Sequence, residues 1–266
     1  MRQSLIMLLG IIFLSGCKSE NREAENVQEE TPVVQEEKEE PISAPEITPI
    51  SHATAVISWG DQTIYLDPVG GAEAFEGMPE PDLVMITDIH GDHLDLETLN
   101  ALNLGSTKII APQAVKEQLP DSLAKNIQVM NNGQNIYQNG IDITAIPMYN
   151  LREEAKQFHP KGRGNGYVLE MDGKRLYIAG DTEDIPEMRQ LKDIDIALIP
   201  MNLPYTMPVE AAADAVIEFA PDKVYPYHFR GQDGKADVEK FRSLVNEAND
   251  NIEVELANWY PEDSGQ

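Results

Sequence analysis

Leu83-Val84-Met85-Ile86 is an unbroken apolar run, and four groups able to hold a metal follow it between Asp88 and His93: Asp88, His90, Asp92 and His93. A continuous apolar run of this length reads as a strand covered on both faces, as in a parallel sheet. Within such a strand, side chains alternate across the sheet and cannot converge. At its end the chain is free to turn, and closely spaced residues can point at one centre. Imidazole and carboxylate together suit zinc, manganese or iron. The chain therefore has to place a buried strand so that its end opens on a polar site.

The remaining histidines support that reading. The 266 residues contain five, His52, His90, His93, His159 and His228, and each falls at a strand end or in a loop. His159 opens a glycine-rich segment, His159-Pro160-Lys161-Gly162-Arg163-Gly164-Asn165-Gly166, in which Gly162, Gly164 and Gly166 are expected to let a loop bend. Asp181 follows a strand in Ile178-Ala179-Gly180-Asp181-Thr182, and His228 closes Val224-Tyr225-Pro226-Tyr227.

Between these points the pattern alternates short strands and helices. Strands are expected at Ala53–Ser58 and Thr63–Leu66 about a turn at Gly60-Asp61. Others are expected at Leu83–Ile86, Lys108–Ala111, Ile141–Ile146, Ile194–Ile199, Lys223–Tyr227 and Ile252–Leu256. Tyr167–Met171 and Arg175–Ala179 read as a hairpin around Asp172-Gly173. Helices are expected at Leu96–Leu102, Gln113–Leu119, Val209–Ala220 and Val238–Glu247. The third places Val209, Ala212, Ala213, Val216 and Phe219 on one face. Two mixed sheets with helices outside, an α/β arrangement, would satisfy all of them.

Taken in order, these features resemble the metallo-β-lactamase superfamily, which reads strand, H-x-H-x-D-H, a further His, an Asp after Gly, and a last His. His52-Ala53 before a strand, Leu66-Asp67-Pro68, Gly180-Asp181-Thr182 and Tyr225-Pro226-Tyr227-His228 resemble one branch of it. That branch contains the phosphorylated-ascorbate lactonase and the phospholipase D-type enzyme acting on N-acyl phosphatidylethanolamines. The resemblance implies an αββα sandwich and a pair of divalent ions, zinc or manganese, with iron a further candidate. One ion would be held by Asp88, His90 and His159 and the other by Asp92, His93 and His228, with Asp181 between them. Water held between two cations loses a proton near neutral pH and attacks the substrate, a lactone or phosphoester. Asp92 would serve that water as well as a metal. Asp88 departs from the family, standing where its first His belongs. A carboxylate there keeps an oxygen ligand and favours manganese or iron. The competing reading is a lost metal position in a non-catalytic binding protein of the same fold. Asn150 competes with His159 as third ligand.

His52 reads as a substrate contact or a support for the centre, and Tyr149, Asn202 and Tyr205 as residues lining the pocket. Lys161, Arg163 and Arg230 stand beside proposed ligands in a chain with 20 Lys and Arg against 46 Asp and Glu. Lys161 and Arg163 are expected to clasp an anionic substrate. The net charge of −26 argues against a nucleic-acid partner and against docking of the folded part on an anionic membrane.

The start of the chain has a different character. Arg2 precedes the apolar run Leu5–Leu14, and Leu14-Ser15-Gly16-Cys17 resembles the lipobox of bacterial lipoproteins. Residues 1–17 are thus expected to be a signal peptide ending at a lipidated Cys17. Residues 18–50, acidic and carrying Pro32, Pro41, Pro45 and Pro49, are expected to form a disordered tether. Residues 51–266 are expected to form the hydrolase domain, held by its lipid in the cell envelope. Replacing Cys17 by Ser should release the protein from membranes with its activity intact. Retention of Cys17→Ser in the membrane fraction would point to an uncleaved anchor and remove the lipoprotein reading.

Overall fold

A computed structural model describes residues 43–261. The expected signal peptide, Cys17 and most of the expected tether lie outside the described residues. Two sheets carry the fold. In the first, β1 (Glu46–Ser51), β2 (Thr54–Trp59) and β3 (Gln62–Leu66) run antiparallel, and β4 (Leu83–Met85), β5 (Lys108–Ala111) and β6 (Ile127–Val129) continue parallel to β3. The second contains β7 (Asn135–Gln138), β8 (Ile141–Met148), β9 (Gly164–Met171), β10 (Lys174–Ile178), β11 (Ile196–Pro200), β12 (Lys223–Tyr227) and β15 (Glu253–Val254). Its members β7 to β10 are antiparallel, and β10, β11, β12 and β15 are parallel. A short ribbon of β13 (Arg230–Gly231) and β14 (Gly234–Lys235) follows His228.

The helices are α1 (Leu96–Ala101), α2 (Gln113–Lys116), α3 (Asp121–Ala124), α4 (Pro186–Arg189), α5 (Val209–Phe219) and α6 (Val238–Ala248). One core cluster joins the inner faces of both sheets, with Ile57, Leu66, Met85, Tyr167, Ile178 and Leu198 among its members. A smaller one, with Val84, Ile109, Leu99, Val115 and Leu123, packs the other face of the first sheet against α1, α2 and α3. In α5, the face formed by Val209, Ala212, Ala213, Val216 and Phe219 is buried as its spacing requires. This is the αββα sandwich.

The domain begins earlier than Ser51. Its first strand, β1, starts at Glu46 and pairs with β2 through Ile47↔Ile57 and Pro49↔Ala55. β1 is an edge strand, where a proline costs no internal ladder bond. Its half-exposed residues therefore read as tether composition. The segment from His159 also differs from expectation. Gly164 and Gly166 are strand residues of β9, and only Gly162 turns, with φ +90. Their smallness serves close approach: a Cβ on Gly166 would lie 2.7 Å from the Ala179 carbonyl oxygen and 2.9 Å from that of Ile178. Helix α2 is shorter than expected, because Pro120 and α3 follow at once.

Gly166→Ala should destabilise the fold by ~1–3 kcal/mol, the usual cost of forcing atoms into a packed strand. Urea unfolding followed by circular dichroism measures this, and an unchanged midpoint would refute the packing argument.

Candidate metal centre

The carboxyl ends of parallel strands from both sheets meet at one edge, the position where α/β sheets bind ligands. Asp67 follows β3 and Asp88 to His93 follow β4. From the second sheet, Asp181 follows β10, Asn202 follows β11 and His228 follows β12. His159 comes from the β8–β9 connection and His52 from the turn between β1 and β2. Bonds between sheets hold this edge. Tyr167 donates its hydroxyl to the Ile86 carbonyl at 2.9 Å, and the Asn165 N–H donates to the Thr87 carbonyl at 3.0 Å.

Asp181 is the hub. Its Oδ2 lies 3.1 Å from His159 Nε2 and 3.4 Å from His93 Nε2, and its Oδ1 lies 3.3 Å from His228 Nε2. Burial alone would raise its pKa, but the charges of His228, His93 and His159 hold it well below the usual carboxylate range. On one side of Asp181, Asp88, His90 and His159 bring ligand atoms together. On the other, His93 and His228 do so with Asp181 itself. Asp92 joins the second group, with Oδ2 3.3 Å from His228 Nε2 and Oδ1 3.9 Å from His93 Nε2. Burial pushes Asp92 up, yet hydrogen bonds from His228 and His52 bring it below its ordinary value. His52, Asp92 and His228 form a third convergent group.

A divalent ion suits these residues. His159 Nε2 and Asp181 Oδ1 are buried and, although they lie 3.1 and 3.3 Å from Asp181 Oδ2 and His228 Nε2, neither makes a well-aligned hydrogen bond. Buried polar atoms without a hydrogen bond cost ~1–3 kcal/mol each, which a coordinated cation would offset. The set of imidazoles and carboxylates fits zinc, manganese or iron alike.

Three of the imidazoles, His93, His159 and His228, are braced from behind. His93 Nδ1 lies 2.8 Å from Asp67 Oδ2, and Asp67 also accepts the N–H and hydroxyl of Thr87 at 2.7 and 2.6 Å. His93 is pulled down by burial but raised well above its ordinary pKa by Asp181 and Asp67. The Asn202 amide sits 3.1 Å from His228 Nδ1, and the Tyr205 carbonyl 3.1 Å from His159 Nδ1. Asn150 stands behind His159, its amide contacting Nδ1 at 3.2 Å and donating to the Tyr205 and Ala155 carbonyls. The geometry thus brings His159 to Asp181 and leaves Asn150 as its support. His52, Asp67 and His228 have φ of 55, 41 and 46. This left-handed backbone is costly for residues with a Cβ and is often found at functional sites.

Sequence reasoning missed the bracing roles of Asp67 and Asn202, although an Asp and an Asn after strand ends were visible signals. It also misjudged two cations. Arg163 donates to both oxygens of Asp88, from Nε at 3.1 Å and Nη2 at 2.9 Å, because β9 starts beside that buried carboxylate. Lys161 turns outward to Glu187 at 2.7 Å and covers the Tyr149 ring. Tyr149 consequently serves that ion pair, accepting from Lys161 and donating to Glu187. Tyr205 and Asn202 line a cavity of about 310 Å³ together with His90, Asp92, Phe158, His159 and Asp181. A second cavity, of about 660 Å³, opens on His52, Asp92 and Arg230 and has an apolar wall of Ile50, Val69 and Ala74.

Residues 46–228 match the family model described as a β-lactamase superfamily domain. A relative from Thermococcus onnurineus, named as a metal-dependent hydrolase, is 32% identical over 197 residues, 71% of this chain and 87% of its own. One of the same name from Pyrococcus abyssi is 29% identical over 210 residues, 74% and 91% of the two chains. A crystal structure from Parabacteroides distasonis, described as a metal-dependent hydrolase, superposes with TM-score 0.70 and 36% identity, covering 81% of this chain and 94% of its own. A metallo hydrolase from Ignicoccus hospitalis shares the fold at 24% identity, with TM-score 0.68 over 81% and 95% of the chains.

Asp67→Asn should weaken metal binding about 10–100-fold, the usual cost of removing a carboxylate behind a liganding histidine. Metal content after gel filtration tests this, with circular dichroism as the folding control. Wild-type metal retention in Asp67→Asn would show that the brace does not act on the metal.

Proposed function

The chain belongs to the metallo-β-lactamase superfamily and is a metal-dependent hydrolase, and from that premise we propose that it cleaves a lactone or phosphoester bearing a negative charge. In this reading it works at the cell envelope, tethered through Cys17. The observation that carries it is Asp92, with its side chain 41% exposed, standing where the two cavities adjoin. Asp88, His90 and His159 would hold one ion, Asp92, His93 and His228 the other, and Asp181 would serve both. Such ions supply an activated water and polarise the oxygen of the group under attack.

The chain's own residues supply the rest. Asp92 Oδ2 lies 3.3 Å from His52 Nε2, and His52 Nδ1 lies 2.8 Å from the Tyr260 hydroxyl. That hydroxyl accepts the Arg230 N–H at 2.9 Å, so its own proton can be given to Nδ1. His52 then carries its proton on Nε2, toward Asp92. This fixes the orientation of Asp92, which would take a proton from the attacking water. His52 at the wall of the larger cavity would contact the substrate. Arg230 supports the anionic reading by its place on the lining of the larger cavity. Its guanidinium lies 4.1 Å over the Tyr260 ring at the wall of the same cavity. The apolar wall there suits a substrate with a hydrophobic part. The branch containing the lactonase and phospholipase D-type enzymes is the corresponding choice within the superfamily.

The full chain, purified in detergent and loaded with zinc or manganese, should hydrolyse members of a panel of lactones and phosphodiesters. Chelation should abolish turnover and added metal restore it. Arg230→Ala should raise KM for an anionic substrate about 10-fold with kcat little changed, a loss of uniform binding. Preference for neutral substrates, or unchanged KM, would end the anionic reading. Absence of turnover in a fully metallated protein would favour the binding-protein alternative.

A further inference from the structure

Asp88 and Asp92 sit in different electrostatic surroundings. The Asp88 side chain is fully buried and the Arg163 side chain is 18% exposed. Arg163 takes both oxygens of Asp88, and His90 Nδ1 lies 2.8 Å from Oδ2 as well. The guanidinium reaches further, with Nη2 3.4 Å from His90 Nε2 and bonded to the Phe158 carbonyl, next to His159. One permanent cation thus touches two of the three residues of this position and the neighbour of the third.

The other position has no such neighbour. Among the described residues, no hydrogen bond or ion pair joins a Lys or Arg to Asp92, Asp181, His93 or His228, and Arg230, which lines the larger cavity with Asp92, lies over the Tyr260 ring. Negative charge accumulates there instead. Asp92 and Asp181 face His93 and His228, and the buried Asp67 stands behind His93 at 2.8 Å. A carboxylate behind a liganding imidazole fixes its orientation and raises its basicity. An incoming divalent ion is attracted at this position by Asp92 and Asp67 in addition to Asp181, which both positions share. At the other, the charge of Asp88 is already matched by Arg163, and an ion entering there is repelled by the guanidinium and has to compete for oxygens it holds.

We propose that the two metal positions are unequal: Asp92, His93, His228 and Asp181 bind one ion tightly, while the Asp88–His90–His159 position is held weak by Arg163. The inference rests on the metal-dependent reading and adds to it an order of filling, specific to a chain that pairs Asp88 with Arg163. The number of ions bound would then follow metal supply. One ion stays through purification, and the second enters only when metal is abundant.

The experiment is a zinc titration by calorimetry on the full chain in detergent, with metal content measured after gel filtration. The wild type should retain one equivalent and bind a second about 10–100-fold more weakly, the range by which supporting groups tune metal affinity. Arg163→Met should bring the second binding event to within about 10-fold of the first. Asp88→Asn should remove the second event and leave the first. Should Arg163→Met misfold by circular dichroism, the wild type and Asp88→Asn still decide. Two equivalents of equal affinity, a single event with no second up to millimolar zinc, or loss of the tight ion in Asp88→Asn would each overturn the inequality while leaving metal dependence intact. No zinc bound by a folded wild type would overturn both.

Discussion

A carboxylate with almost no solvent contact, Asp181, organises this molecule. Transfer of an unpaired charge into the interior is prohibitive, so a buried Asp has to be surrounded by donors or cations. Here the surroundings are His93, His159 and His228, from three separate strand ends and loops. Their convergence requires that the ends of β4 and β12 and the β8–β9 connection meet, and hence that the two sheets register at one edge. The bonds from Tyr167 to Ile86 and from Asn165 to Thr87 make that junction rigid. Asp67, Asn202 and the Tyr205 carbonyl then fix each ring. The centre and the sandwich are therefore one construction, since the contacts that align the imidazoles also hold the sheets together.

The strong acidity of the chain changes how its few cations should be read. Arg189 is gripped by Asp184, Asp214 and Glu218, and Lys161 by Glu187. With carboxylates in such excess, a basic residue near a site finds an internal partner before it faces a ligand. Individual exposed pairs add little stability. Their consequence here is to withdraw charge from the substrate side, where His52, Asp92 and Arg230 are among the residues lining the larger cavity. Proximity in sequence to a ligand is a poor guide to proximity in charge.

The parts legible from sequence were those set by local pattern. β4 declared itself by an unbroken apolar run, α5 by its spacing, and the residues from Asp88 to His93 by the strand before them. What was illegible depended on partners distant in the chain. β1 looked like tether because an edge strand needs one apolar face and tolerates Pro49. β6 and β7 are short and partly exposed, so their patterns carry little signal. Gly164 and Gly166 looked like hinges because sequence cannot distinguish a glycine that bends from one that admits a carbonyl oxygen. Arg163 and Asp88 are separated by 75 residues, and nothing local to either announces their pairing.

That pairing accounts for the one departure from the superfamily motif. Replacing a neutral imidazole by a carboxylate inserts a negative charge beside Asp181, where like charges would repel in a poorly solvated space. Burial works to raise the pKa of Asp88, and the hydrogen bond from His90 and the charges of His93, His90 and Arg163 overcome it. Arg163 also returns the local charge to that of the imidazole the motif would have placed there. The side chains at 88 and 163 are thus a single electrostatic unit. Without Arg163, Asp88 would keep only its histidine partners, and breaking a buried pair typically costs ~3–5 kcal/mol. The centre tolerates an unusual residue at Asp88 because the strand β9, placed there by sheet register, delivers the opposite charge to it.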